Sequence, residues 1–242
     1  MEIFKERTVG EIVAEDYRAA GVFKQFGLDF CCGGGTPVAE ACEQNGIDVD
    51  NLLDELEAVT TDGDDSHNYK EWSPDLLIDY IEQRHHRFVR DKLPEIESYA
   101  KKVAKVHGSR HAELNEIRDE FLMLKDELLE HLQKEEQMLF PYIKELVKSE
   151  ENDEIMDKRP SFGEVENPVR LMKIEHDEAG DSMEKIQELS NNFTPPEDAC
   201  ASYRVLFQNL EGFQDDLHKH VHLENNVLFP KALELENRLN RN

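Results

Sequence analysis

From Ser73 onward, apolar residues recur at three- and four-residue steps, the period of an amphipathic helix. Leu114, Ile117, Phe121, Leu124, Leu128 and Leu132 trace one such stripe. Four long helices are predicted. The first starts at Ser73-Pro74-Asp75, an N-cap followed by a proline at the first helical position and an acid in the first turn, and reaches about Val106. The second runs from near Ser109 to about Val147, and a charged loop follows it. The third starts at Asn167-Pro168 and reaches about Ser190. The fourth starts at a capping box, Thr194-Pro195-Pro196-Glu197, and reaches about Leu239. Pro94, Pro141 and Pro230 fall inside these spans, and each predicts a kink or a break. No strand pattern appears. The expected fold is all-α, an antiparallel four-helix bundle over residues 73–242.

The first 60 residues read as a small helical domain. Val9, Ile12 and Val13, then Leu52, Leu53 and Leu56, have the spacing of short amphipathic helices. Between them three glycines follow Cys31-Cys32, and Thr36, Pro37 and Glu40 mark a new helix start. Residues 61–72 are polar and read as a linker.

Composition narrows the function. The chain has 242 residues and a formal net charge of −26. Such a field repels phosphate backbones and attracts cations, so no nucleic-acid partner is expected. No run of about 18 apolar residues exists, so no membrane partner is expected either. The charged N-terminus lacks a signal-peptide core, which points to a cytoplasmic protein with reduced cysteines.

The second and fourth predicted helices share a motif. His131-Leu-Gln-Lys-Glu135 and His220-Val-His-Leu-Glu224 both lead into Leu-Phe-Pro, ending at Pro141 and Pro230. This reads as a duplicated helix pair with pseudo-twofold symmetry. His and Glu at i and i+4 lie on one helical face. The third helix adds His176, and the first adds His85 or His86, between which periodicity does not choose. Four imidazoles and two carboxylates inside an apolar bundle call for compensating cations, and mixed N/O donors suit iron or manganese. If both glutamates bridge two metals and an oxo or hydroxo group joins them, each metal keeps one open position. Ferritin-like sites use Glu-x-x-His instead, so that superfamily is set aside. Glu127, Glu175 and Asp216 are second-sphere candidates. His218 and His222 are expected to be solvated, and His67, His107 and His111 to lie at the surface.

Phe30-Cys31-Cys32-Gly33-Gly34, the two Leu-Phe-Pro motifs and the Lys173-to-Gly180 segment around His176 together resemble the RIC family, the di-iron proteins for repair of iron centres. The resemblance covers nearly the whole chain. It implies a haemerythrin-like bundle, and its Leu-Pro spacing, applied to Leu93-Pro94, selects His86 as the ligand. The implied set is His86, His131, Glu135, His176, His220 and Glu224, holding two Fe ions per chain. It also implies a role in restoring iron–sulfur clusters after oxidative or nitrosative damage. Damaged iron–sulfur proteins are then partners, and nitric oxide or dioxygen are small ligands. A haemerythrin-like sensor or carrier, and a di-iron nitric oxide reductase, are the competing readings. Cys31 and Cys32 are adjacent, not in C-x-x-C spacing, and a disulfide between them would be strained. The glycines are expected to leave a mobile turn with accessible sulfur, close to the thiolate state. The family resemblance favours a functional thiol pair over a packed turn. Cys42 and Cys200 read as small packed hydrophobes. A homodimer through the small domain is the expected assembly.

Overall fold

The computed structural model describes residues 2–60, 68–152 and 160–240. Among them the regular structure is helical, with one isolated bridge between Thr8 and Pro37 and no strand. Short helices come first: α1 Glu2–Lys5, α2 Val9–Glu15, α3 Ala19–Gln25, α4 Val38–Asn45 and α5 Val49–Thr60. Longer ones follow: α6 Pro74–Tyr80, α7 Arg87–His107, α8 Glu113–Lys134, α9 Phe140–Glu151, α10 Glu166–Leu189, α11 Ala201–Leu223 and α12 Phe229–Leu239. Three π-helical segments join consecutive helices: Ile81–His86, Glu135–Leu139 and Glu224–Leu228. Of the predicted linker, 61–67 lies outside the described residues, as does 153–159 of the charged loop. Tyr69–Glu71 forms one 3-10 turn with Tyr69 buried.

The chain divides into two units. One comprises residues 79–142 and 166–217. In it α7, α8, α10 and the first part of α11 pack as four helices. Lys125 pairs with Glu97 across α7 and α8, Glu120 with Ser182 across α8 and α10, and Asn209 with Lys92 across α11 and α7. The interior is apolar. Phe213 lies between Phe88, at 6.4 Å, and Phe121, at 5.9 Å between ring centroids. Truncating a fully buried ring of this kind costs about 3–5 kcal/mol.

The other unit comprises residues 1–78, 143–165 and 218–242. Thr8 caps α2 with a complete capping box to Glu11. Helix α4 ends at Gly46, whose φ of 66° is the left-handed cap that glycine takes without strain. Val9, Ile12, Val13, Phe23, Leu52, Leu53 and Leu56 are all buried, as their spacing predicts. In this unit α2 packs on the π segment Glu224–Leu228.

Two sequence expectations need correction. The fourth long helix starts at Ala201, not at the Thr194 box. Asn191, Asn192 and Phe193 all take positive φ after α10. The Thr194 hydroxyl donates back to the Asn192 carbonyl, so it closes the old helix instead of capping a new one. The prolines also break less than predicted. Pro94 sits within α7, and at Pro141 and Pro230 the helix continues. Pro141 has no N–H for the Gln137 carbonyl and its ring crowds that oxygen. The turn just before it widens to π geometry, which relieves both conflicts. The same holds before Pro230.

Candidate metal centre

Each π segment begins or ends on a residue singled out by the sequence. Ile81–His86 ends on His86, Glu135–Leu139 begins on Glu135, and Glu224–Leu228 begins on Glu224. A π turn inserts one residue into the helix and is frequent at functional sites.

In the four-helix unit, Glu135 is fully buried. Its Oε2 lies 3.4 Å from His86 Nε2 and 3.4 Å from His131 Nε2. His176 Nε2 lies 3.1 Å from His131 Nε2. His131, Glu135 and His176 present donor atoms all within 4.8 Å of one another. This cluster joins α8, its π segment and α10.

The outer nitrogens of two imidazoles are held by carboxylates. His86 Nδ1 donates to Glu136 Oε1 at 2.8 Å, and His131 Nδ1 donates to Glu175 Oε2 at 2.9 Å. Both acids stay ionised. Burial raises the Glu136 carboxyl, but bonds from Arg90 and His86 more than offset it and leave it below its ordinary value. The hydrogen bond from His131 lowers Glu175, and Lys134 adds to this against the effect of burial. With their protons fixed on Nδ1, His86 and His131 turn Nε2 lone pairs inward. That arrangement, a carboxylate behind a histidine, orients metal ligands.

In the other unit His220 Nε2 lies 2.9 Å from Glu224 Oε1, both residues being buried. The pair repeats, four residues apart across the entry to a π turn, the relation of His131 to Glu135.

The geometry separates His85 from His86. Both are buried. His85 Nδ1 bonds Asp216 Oδ2 at 3.0 Å, and its ring packs edge-on against Tyr80. Asp216 thus holds His85. Glu175 serves a candidate ligand as expected, whereas Glu127 is exposed.

Several expectations about other residues are overturned. His222 is not solvated but fully buried, its Nδ1 3.3 Å from the Phe30 carbonyl oxygen. Burial pushes its imidazole down to about 4. His107 is buried too, with Nε2 3.2 Å from Cys200 Sγ, while Cys200 itself is exposed and not packed away. His67 lies outside the described residues. The two-cysteine turn is held, not mobile. Gly33–Gly35 forms a 3-10 turn, and Cys31 is only 6% exposed while Cys32 is half-buried. Cys31 is no ready thiolate. Its hydrogen bond to Cys32, burial and the Asp29 charge all raise its thiol well above the ordinary value.

Sequence reasoning missed Glu136, Asn226 and Asp29. For Glu136 the one available signal was its adjacency to Glu135. For Asn226 it was the repeat itself, in which Gln137 and Asn226 occupy matching places but differ.

Among the described residues no helix is long and apolar enough to cross a membrane. The histidine and glutamate clusters can hold a metal cation. Comparison with known proteins agrees. Residues 76–232 match the hemerythrin HHE cation binding domain, and residues 5–60 match a domain of unknown function, DUF542 or ScdA_N. The iron-sulfur cluster repair protein YtfE of Yersinia pestis (strain Pestoides F) is 34% identical over 230 residues, 95% of this chain and 98% of the relative. The protein of the same name from Yersinia pseudotuberculosis serotype O:1b (strain IP 31758) matches with the same identity and coverage.

Proposed function

This chain belongs to the family of iron–sulfur cluster repair proteins that join an N-terminal ScdA_N domain to a haemerythrin-type domain, and we propose that it restores iron–sulfur clusters damaged by oxidative or nitrosative stress. His86, His131, Glu135, His176, His220 and Glu224 would hold two irons, with Glu135 and Glu224 as the carboxylates available to both. The observation that carries this is the position of Glu135. A buried carboxylate whose one oxygen lies 3.4 Å from each of two imidazoles supports its being shared between two cations. The matched pair of His220 and Glu224 supports the second half of the set.

Mixed nitrogen and oxygen donors with open positions favour iron over a closed structural zinc. Two irons there would supply reversible binding of nitric oxide or dioxygen and releasable ferrous iron. Glu136 and Glu175 keep the proton of each imidazole on Nδ1, so that Nε2 can ligate. Lys134 holds Glu175 in place from the other side at 2.6 Å. Damaged iron–sulfur proteins are the clients, and ferrous iron is the cargo delivered to them. Cytoplasmic residence accords with four cysteines that are all free. Self-association as a homodimer through the small N-terminal domain is part of the same reading.

The test is reactivation of a nitric-oxide-damaged cluster enzyme. Iron-loaded protein should restore activity and lose iron as it does so, and the Glu135→Ala variant should do neither. Turnover of nitric oxide with an electron donor and no reactivation would favour the reductase reading. Reversible binding of nitric oxide or dioxygen alone would favour the carrier.

A further inference from the structure

The turn after α3 gathers a second donor set that uses none of the proposed histidine and glutamate ligands. Asp29 Oδ1 accepts from the Cys31 backbone amide at 2.8 Å and lies 3.0 Å from Cys31 Sγ. Asp29 Oδ2 accepts from the Gly33 amide at 2.7 Å. Cys31 Sγ and Cys32 Sγ are 4.0 Å apart, and the donor atoms of all three residues lie within 4.8 Å of one another.

The sulfur spacing is informative. A disulfide needs about 2.05 Å between sulfurs. A tetrahedral cation with metal–sulfur bonds of about 2.3 Å sets its two sulfurs about 3.8 Å apart. The observed separation is close to the second value and far from the first. The turn is also fixed in advance. Two amide bonds orient Asp29, and a Cβ at Gly33 would come within 3.2 Å of Asp29 Oδ2, so glycine keeps that approach open. Behind the turn, Asn226 holds the carbonyls of Phe30 and Cys31. Cys31 faces inward while Cys32 is half-buried, so a cation enters past Cys32.

We propose that Asp29, Cys31 and Cys32 form a mononuclear site for a thiophilic divalent cation such as Fe²⁺, Zn²⁺ or Co²⁺, with a fourth position left open. Binding replaces two thiol protons by one cation and releases both protons to solvent, with no change of oxidation state. The site is distinct from the bundle centre and does not depend on the function proposed for it. It is nevertheless anchored to the π segment that Glu224 begins, because Asn226 belongs to that segment.

Cobalt(II) is the probe, added to full-length protein already loaded with iron. One equivalent should give the near-ultraviolet thiolate-to-cobalt charge-transfer band, with two protons released per cobalt. Cys31→Ser/Cys32→Ser should abolish the band. Cys32→Ser alone, at the more open position, should retain about half of it, so the result is readable even if the double variant folds poorly. Asp29→Asn should keep the band and weaken cobalt binding about tenfold or more. Cys42→Ser and Cys200→Ser should leave band and affinity unchanged. Absence of the band in the unaltered protein, or its survival in the double variant, overturns the proposal. Loss of cluster reactivation with the cobalt band intact would count against the function proposed above and not against this site.

Discussion

Asn226 Nδ2 lies 3.2 Å from the Phe30 carbonyl oxygen and 3.0 Å from that of Cys31, so a single amide ties the two-cysteine turn to the π segment that Glu224 begins. A Cβ at Gly10 or at Gly34 would come within about 3 Å of the same side chain, which explains glycine at both places. Removing the amide leaves two partly buried carbonyls without that donor. Asn226→Ala should destabilise the protein by about 1–3 kcal/mol. It should also speed alkylation of Cys31 by iodoacetamide severalfold, read by mass spectrometry. An unchanged alkylation rate would mean that other contacts hold the turn.

The proposed ligand from the first long helix is His86 and not His85. His85→Ala removes the partner of Asp216 and should retain two irons per chain. His86→Ala removes a nitrogen 3.4 Å from Glu135 and should lose or loosen one iron. Iron analysis with Mössbauer spectroscopy reads both, and the reverse pattern would reassign the ligand.

Glu136 and Glu175 act through the imidazoles they hold. Glu136→Gln and Glu175→Gln should each weaken iron binding about 10–100-fold while helix content by circular dichroism stays near that of the unaltered chain. Competition with a chelator gives the affinity. Full affinity in both variants would show that the carboxylates serve only their ion pairs with Arg90 and Lys134.

Tyr203 gives a pH signature far from the metal residues. Burial first, then the charges of Glu113 and Asp198, push its phenol from an ordinary 10.0 up to about 12. The folded chain keeps the proton where the unfolded chain loses it. Its contribution to stability is therefore complete below pH 10 and is lost as pH rises toward 12. Tyr203→Phe should show a shallower fall in Tm across that window. Parallel curves for the two proteins would contradict the assignment.

Most of the fold was legible because helical periodicity is local. The His-Glu repeat was legible for the same reason, since i and i+4 positions share a face wherever the helix lies. What escaped depends on contacts distant in sequence. His222 looks solvated from its spacing to His220, yet it is buried against Phe30 and Tyr17. The clue lay where the duplicated motif differs. His222 stands at the place of Gln133 and Asn226 at that of Gln137, and these two substitutions, four apart, form the face that holds the cysteine turn. The π turns escaped because a proline inside a helix reads as a break, and only the structure shows the wider turn that absorbs it.

That wider turn lets the C-terminal arm carry one residue more than a uniform α-helix would hold. The i→i+5 bonds of the Glu224–Leu228 segment take up the extra residue within the turn. Added to a uniform α-helix, the same residue would rotate everything beyond it by about 100° and advance it by about 1.5 Å. Upstream, the carboxylate of Glu224 therefore keeps its direction. Downstream, Phe229, Ala232 and Leu235 stay on their buried face. The segment between Glu135 and Pro141 absorbs its extra residue in the same way.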